Sequence, residues 1–364
     1  MNLKSNPTLK KIARRLRPRN EKVIQKQLSK LCYRSRLLSS VYYFLFDRSF
    51  SREYQAVLAG KVKHLKEAER IKANYFLLVR NTHRIEKGLL MRPKRNVFAK
   101  DYIAETVDSF EGVWKNQQDR NNPQIKWFTD VLTEYFAGAS SDPEVAKSAN
   151  RFHKIIGTTT DATGSATDCK AIPYVRLDQD KSNISYDELY KLSRQRRSVR
   201  WFLDKQVPRE LIDKAILVAN QSPSACNRQP FEFRVFDNPE MVKEVAKLPM
   251  GTKGYEHSIQ TMIVIVGNLD AYYDERDRHV IYIDASLASM SLMLALETLG
   301  LSSCAINWPD LEPRERKMEK FLALNKHQRP IMCLGIGYPD PEGMVAFSEK
   351  RPLHQIRSFN HTDK

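Results

Sequence analysis

The stretch that most constrains the fold of this chain lies at residues 279–299 and reads HVIYIDASLASMSLMLALETL. It carries no charged side chain between Asp284 and Glu297, and a helix built from it is apolar on nearly every side. A helix of that kind is buried in a protein core. Small residues such as Ala288 allow close packing, and Gly300 follows where glycine commonly ends a helix. We therefore predict a buried helix that ends just before Gly300.

Residues on either side of this helix predict strands and further helices. Residues 231–236, FEFRVF, alternate as a strand does, whereas the apolar runs at 261–267 and 330–339 favour strands in the core. Ser185 and Glu188 form a capping box, which marks a helix start and stabilises it by about 1 kcal/mol. This part of the chain is therefore predicted to be mixed α and β.

Residues 1 to about 155 differ, because their pattern is mostly helical. Residues 51–90 contain no proline and only two glycines, and they place apolar side chains at spacings of three and four. Residues 157–173 then lose any periodicity and are rich in Thr, Gly, Ser and Asp, as interdomain linkers are. We predict three parts: a basic, mostly helical N-terminal region at 1–156, a linker at 157–173 and a domain at 174–364.

Positive charge is concentrated in the first part of the chain. The formal net charge is +17, and the first fifty residues hold 13 Lys or Arg against two acidic residues. The apolar run at 37–46, LLSSVYYFLF, is too short to cross a bilayer, but it can lie in a membrane interface or pack as a core helix. Residues 1–50 therefore have two interpretations. They are an arm that meets an anionic membrane surface, another polyanion or an acidic partner, or they are a solvated helical face.

The cysteines and histidines argue against a disulfide framework and a metal site. Five scattered cysteines without a CxxC pair, and no secretory signal, predict a cytoplasmic protein with reduced thiols, with association at a membrane surface through the basic arm left open. His83 and Glu86 lack the HExxH spacing, so no metal site is predicted, and no specific nucleic-acid motif accompanies the charge. The cysteines are Cys32, Cys169, Cys226, Cys304 and Cys333.

The segment RQRRSVRWF, residues 194–202, places Arg196, Ser198 and Arg200 in alternation. Residues two apart on an extended segment point the same way, so these side chains can share one face. Two guanidinium groups and a hydroxyl on one face suit a phosphate, because guanidinium binds phosphate oxygens bidentately. A solvated surface is the alternative for this arginine cluster. Beyond the last predicted strand, Lys350 and Arg351 supply a second basic pair.

Two further segments complete a recognisable set. SPSACNRQPFEF at 222–233 combines hydroxyl and amide side chains ahead of a strand, and GLSSCAINWPD at 300–310 leaves the buried helix as an extended segment. Together with RRSVRWF and a closing KRPL, they resemble the FMN-dependent nitroreductase superfamily in order and spacing over residues 186–357. The resemblance implies an α+β fold, a three-layer α-β-α sandwich around a mixed, mainly antiparallel sheet. Here that fold is preceded by the mostly helical N-terminal region.

The resemblance also implies a cofactor and a site. FMN is the expected cofactor, NAD(P)H the expected electron donor, and the expected reaction is hydride transfer to a small organic acceptor without a catalytic side chain. The family forms homodimers, in which the second segment reaches the flavin of the other subunit. The residues implied to contact FMN are Arg196, Ser198, Arg200, Pro223, Ser224, Ala225, Asn227, Ala305, Ile306, Asn307, Lys350 and Arg351, and Trp308 is assigned to the substrate pocket.

Some of these positions keep a structural alternative. Ser224 and Asn227 can cap a turn, and Trp308 can pack in the core instead of stacking on a substrate. The segment 268–279 is short for a substrate lid, so the acceptor stays open. A protein that kept the fold, holds flavin without reductase turnover and acts through its basic N-terminus is the alternative function.

Overall fold

The computed structural model describes residues 27–69, 74–93, 97–116, 119, 122–139, 142–157, 170–360 and 362. Residues 1–26 of the basic arm and residues 158–169 of the predicted linker lie outside these ranges, as does Cys169. The remainder of the chain contains every segment that the sequence assigns to the flavin site.

The described part of the N-terminal region is mostly helical, as its apolar spacing predicts. Asn74 caps the third of its helices by accepting a hydrogen bond from the backbone N–H of Leu77 at 2.9 Å. Side chains from the last four helices form a core of their own, in which Phe110 and Phe152 are fully buried. The helices are α1 (Arg36–Leu45), α2 (Ser51–Glu69), α3 (Tyr75–Leu89), α4 (Ile103–Asn116), α5 (Pro123–Ala139) and α6 (Pro143–Gly157).

The C-terminal half alternates helices and strands near the predicted positions. The capping box is present, because Ser185 Oγ accepts from the Glu188 N–H and the Glu188 carboxylate accepts from the Ser185 N–H. Gly300 has a φ of 74°, the left-handed conformation that favours glycine after a helix. The elements are α7 (Tyr186–Gln195), α8 (Arg209–Ala219), β1 (Phe231–Phe236), α9 (Pro239–Val245), β2 (Thr261–Asn268), α10 (Val280–Thr298), β3 (Ser302–Asn307), α11 (Glu312–Leu322), β4 (Gln328–Gly337) and α12 (Leu353–Ile356).

The strands form one sheet in the order β1-β2-β4-β3, and each neighbouring pair is antiparallel. Ser198 adds an isolated parallel bridge to Ser303 on β3, so the sheet is mainly antiparallel with one parallel contact. Side chains alternate between the two faces because the period of a strand is two residues. Ile263 and Leu334 enter a core with α8 and α10, whereas Met262 and Cys333 enter a core with α9 and α11. The architecture is therefore the predicted three-layer α-β-α sandwich.

α10 is not buried on every side, which differs from the prediction. Ala285 and Ala288 are fully buried, but Ile283, Leu287 and Met290 are 50%, 44% and 38% exposed. These three residues are spaced by four and three positions, so they form one apolar stripe on the outer face. α10 and the turn before it are long and apolar enough to span a membrane by length and composition alone, yet half of that window is buried, as in the core helix of a soluble protein.

α2 packs directly against the C-terminal half. Ala56 is buried in the core that contains Leu269, and a Cβ added to Gly60 would lie 2.6 Å from the Leu269 carbonyl carbon. Arg52 Nε donates to the Glu312 carboxylate of α11 at 2.8 Å. The division of the chain at 157–173 remains a prediction, but these contacts join α2 to elements on the far side of it.

Candidate functional site

A cavity of about 400 Å³ lies beside β3 and brings together two of the segments implied to bind flavin. Ala305 and Asn307 are exposed, whereas Ile306 is buried in the core beneath, as strand alternation requires. The cavity thus combines an edge strand with an arginine from the preceding extended segment. It is lined by Arg200, Met250, Gly251, Tyr255, Cys304, Ala305, Ile306, Asn307 and Pro309.

Arg200 presents an accessible positive charge at this cavity. Its guanidinium carbon lies 5.9 Å from the centre of the Tyr255 ring, and its Nη1 donates to the Ser198 carbonyl oxygen at 3.4 Å. Ser258 Oγ donates to the Arg200 carbonyl oxygen at 2.7 Å and fixes the backbone. Ser198 itself pairs with Ser303 on β3. Because the contacts of the guanidinium are long, its charge is available to a ligand.

Arg196 lies where α7 ends and α10 approaches β3. Its Nε is buried and has no hydrogen-bond partner within the described ranges. Nearby, the Glu297 carboxylate accepts from Gln195 Nε2 at 3.2 Å and from Ser302 Oγ at 3.1 Å. Burial raises the pKa of Glu297, while those hydrogen bonds and the charge of Arg196 oppose the rise. A buried donor without an acceptor costs about 1–3 kcal/mol, so this position favours an added acceptor.

The 224–229 loop is fastened to α10 by Asp284. Ser224 Oγ donates to Asp284 Oδ2 at 2.6 Å, and the Ala225 N–H donates to the same oxygen at 3.0 Å. Ser224 Oγ also accepts from the Gln229 N–H at 2.7 Å, so its hydroxyl is used within the protein, whereas Pro223 and Ala225 are exposed. Left-handed φ values of 55°, 54° and 50° occur at Cys226, Asn227 and Gln229. Such conformations persist only where the surroundings hold them.

The loop and the arginine cluster lie at opposite ends of α10. Asp284 holds the loop near the start of the helix, and Glu297 lies beside Arg196 near its end. At a rise of 1.5 Å per residue the two acidic residues are about 20 Å apart along the helix axis. One protomer therefore does not bring the loop to its own Arg196.

Besides Arg196, Ser198 and the predicted residues at 223–227, three more predicted site residues do not line the cavity. Trp308 is 5% exposed, and its indole Nε1 donates to Glu315 Oε1 at 2.8 Å in the core. This placement corresponds to the packing alternative for Trp308. Burial raises the pKa of Glu315, against the effects of Arg329 and of the indole hydrogen bond. Lys350 and Arg351 are exposed on the segment after β4 and do not line the cavity.

Sequence reasoning missed the residues that close the cavity on the side of α9. Met250 and Tyr255 come from a segment without a motif, and the only signal was a tyrosine among glycines between two predicted elements. Arg314 ties this segment to α11, because its Nη1 donates to the Leu248 carbonyl oxygen at 2.5 Å. The Tyr255 hydroxyl lies 3.6 Å from Cys304 Sγ, and burial raises the pKa of Tyr255, so the phenol stays protonated at neutral pH.

Comparison with known families agrees with this architecture. The nitroreductase family matches residues 193–253 and 256–338, a range that includes all four strands of the sheet, the arginine cluster and the 224–229 loop. The similarity to the nitroreductase family thus lies in the C-terminal half of this chain. α2 and α3, as well as Lys350 and Arg351, lie outside the matched residues.

Individual relatives cover the same half. Iodotyrosine deiodinase 1 of Homo sapiens and that of Pongo abelii are each 28% identical to this chain over 197 residues, which cover 46% of this chain and 67% of theirs. Among solved structures, an FMN-dependent nitroreductase from Clostridium difficile R20291 is 25% identical, with a TM-score of 0.40. It covers 47% of this chain and 98% of its own.

Proposed function

We propose that this protein is an FMN-dependent oxidoreductase that uses NAD(P)H to reduce a small organic acceptor. Nitroreductase-family proteins typically bind FMN and use NAD(P)H. The observation that carries the proposal is the cavity in which Arg200 meets the outward-facing Ala305 and Asn307. Arg196, on the same extended segment, adds a buried Nε–H without a partner among the described residues. A donor set of this kind fits a phosphate and the polar edge of a flavin ring.

Each residue then has a defined role. Arg196 and Ser198 hold the phosphate, and Arg200 stabilises negative charge at the pyrimidine edge of the ring. The strand segment Ala305–Asn307 would face the flavin ring, and Tyr255 supports Arg200 from the cavity wall. When bound, FMN would supply the hydride-transfer chemistry between NAD(P)H and the acceptor. Lys350 and Arg351, which do not line the cavity, are assigned to the phosphate by the family resemblance alone.

The site is proposed to be completed in a homodimer. Because the 224–229 loop lies about 20 Å from Arg196 along α10, the loop of one protomer serves the cavity of its partner. The exposed apolar stripe of Ile283, Leu287 and Met290 runs between those two ends. Apolar stripes of this kind favour burial against another protein surface. The exposed residues Pro223 and Ala225 are the part of the loop that contacts the partner's flavin.

Flavin binding tests the proposal. The purified protein should bind about one FMN per subunit. The double change Arg196→Ala with Arg200→Ala should weaken binding at least about tenfold, because each charge-assisted hydrogen bond contributes about 1.5–3 kcal/mol. Arg194→Ala, an exposed arginine on α7, is the matched control and should leave the dissociation constant unchanged. An unchanged constant in the double variant would contradict the site.

Turnover separates this proposal from a flavin-binding protein without reductase activity. Under anaerobic conditions, NAD(P)H should bleach the flavin absorbance of the wild-type protein, and an added nitroaromatic compound or quinone should restore it. Bound flavin that neither NADH nor NADPH bleaches would favour the binding protein.

A second candidate function concerns the surface of α1. Leu37 and Phe44 are 73% and 75% exposed, and the first fifty residues are strongly basic. We propose that this surface adsorbs to anionic membranes, because apolar side chains enter the interface while basic ones attract the lipid. Flotation with vesicles containing phosphatidylserine should recover the protein at low salt and less at high salt. Phe44→Ser should weaken recovery, whereas Phe359→Ser, at an equally exposed position, should not; absence of flotation at low salt would contradict this function.

A further inference from the structure

Two N-terminal helices approach the loop that is proposed to serve the flavin. α3 packs on residues 225–227 of the loop, and α2 packs on the turn Leu269–Ala271 that follows β2. Both helices lie outside the residues matched by the nitroreductase family. The loop is therefore supported by a part of the chain that the family domain does not contain.

The contact between α2 and the turn leaves little freedom. Gly60 is so close to Leu269 that a Cβ would lie 2.6 Å from its carbonyl carbon and 2.7 Å from its carbonyl oxygen. Lys63 Nζ donates to Asp270 Oδ2 at 2.5 Å, and His64 Nδ1 lies 2.9 Å from the Asp270 carbonyl oxygen. Asp270 is 4% exposed, so α2 fixes this turn through both its backbone and its side chain.

The Leu269–Ala271 turn also supports the loop, through a stacked pair of side chains. Tyr272 directly follows the turn, and the Arg228 guanidinium carbon lies 4.7 Å from the centre of its ring. Both side chains are buried, and Arg228 is the neighbour of Asn227 in the chain. A displacement of the turn therefore moves the ring on which the loop arginine rests.

α3 bounds the other side of the loop. Arg80 lies half-buried near Arg228 and Cys226, and its Nε donates to the fully buried Asn81 at 3.1 Å. Burial lowers the pKa of Arg80, and the neighbouring charge of Arg228 lowers it further. The left-handed conformations of Cys226 and Asn227 are thus held between α3 on one side and Asp284 on the other.

From these contacts we infer that α2 and α3 position the 224–229 loop and thereby set the affinity of the protein for FMN. Gly60 and Lys63 are positioning residues in this arrangement, because they act on the loop through Leu269, Asp270 and Tyr272. This positioning role rests on the proposed function. It means that α2 and α3, which lie outside the residues matched by the family, contribute to cofactor binding.

Two Gly→Ala variants of the full-length chain, one at the contact and one as a control, test this role. Gly60→Ala should weaken FMN binding about tenfold, because misplacement by an ångström is costly at a site of this kind. At saturating FMN, the rate of bleaching by NAD(P)H should stay within about twofold, since the cavity residues are untouched. Gly138→Ala on α5 is the matched control, because no atom lies within 4 Å of its added Cβ.

A lysine pair on the same helix covers the case in which Gly60→Ala does not fold. Lys63→Met removes the partner of the buried Asp270, whereas Lys61→Met removes the partner of the half-exposed Glu275. FMN binding should weaken in Lys63→Met and stay unchanged in Lys61→Met. Equal dissociation constants within both pairs would overturn the positioning role.

Thiol labelling makes the test independent of flavin. In protein without FMN, the labelling rate of Cys226, followed by peptide mass spectrometry, should rise in Gly60→Ala and Lys63→Met relative to their controls, because the loop opens more readily. Faster labelling with no FMN binding in the wild-type protein would disprove the proposed cofactor while retaining the control of the loop. Unchanged labelling together with normal FMN binding in the wild type would disprove the positioning role alone.

Discussion

In the N-terminal region, helix α2 buries its apolar side chains in a different core from helices α3 to α6. Helices α3 to α6 pack mainly on one another, with Phe110 and Phe152 at the centre of that core. α2 instead contributes Ala56 and Val57 to the core between the sheet and α10. Small residues of α2 admit this close approach, since a Cβ on Gly60 would lie 2.6 Å from the Leu269 carbonyl carbon.

The largest expected effect comes from removing α2 together with helices α3 to α6. A chain that begins near Ile172 lacks Ala56 and Gly60 and leaves Leu269 and the turn after β2 exposed to water. We expect an insoluble product or a soluble one without FMN, because exposed core surface favours aggregation. Soluble yield and bound flavin should be compared with those of the full chain. A soluble, flavin-bound fragment would show that α2 is not needed for solubility or for FMN binding.

A smaller effect should separate the two cores. Phe152→Ala creates a cavity among α3 to α6 and should lower the free energy of unfolding by about 3–5 kcal/mol. The FMN dissociation constant, measured well below the melting temperature, should change less than it does in Gly60→Ala. Chemical unfolding and flavin titration of both variants make the comparison. A greater loss of FMN affinity in Phe152→Ala would mean that the helical core, more than α2, controls the site.

The smallest expected effect is a dependence on pH at the contact between α2 and the turn. Burial lowers the pKa of His64 and of His327, which both lie near Lys63 and Asp270. The unfolded chain, with histidines near 6.5, then binds more protons than the folded chain, so stability falls as pH decreases below about 6.5. Each histidine should therefore contribute to a loss of stability between pH 7.5 and 5.5.

Thermal unfolding of wild type and His64→Gln at both pH values isolates this contribution. The pKa values of Glu297 and Glu315 are raised by burial and titrate in the opposite sense, but they are common to both proteins. The wild type should lose more stability on acidification than the variant. Equal losses would show that His64 does not titrate on unfolding in this range.

Much of the domain could be predicted from local signals. The capping box at Ser185, the apolar run of β2 and the glycine after α10 each specify an element through their own neighbours, and each is confirmed. The alternation along β3 likewise places Ala305 and Asn307 outwards. These features depend on period and capping, which a sequence displays directly.

Features that depend on which surfaces meet could not be predicted. Trp308 packs in the core beside α11, where Glu315 accepts its indole hydrogen, and the sequence around Trp308 does not indicate that partner. Tyr255 reaches the cavity through a segment without regular pattern. The sequence predicts that the apolar stripe on α10 is buried in the core. Apolar side chains buried within a protomer and those buried between protomers have similar compositions, so the sequence does not separate them.

The central claim is that the cavity of one protomer and the loop of its partner form one flavin site, and a mixed dimer tests it most directly. One protomer carries Arg196→Ala with Arg200→Ala, and the other, with a different affinity tag, carries Ala225→Trp, which blocks the exposed tip of the loop. Each homodimer should bind FMN poorly. In the mixed dimer one site joins an intact cavity to an intact loop, so about one tightly bound FMN per dimer is predicted. A mixed dimer that binds FMN no better than either homodimer would contradict the shared site.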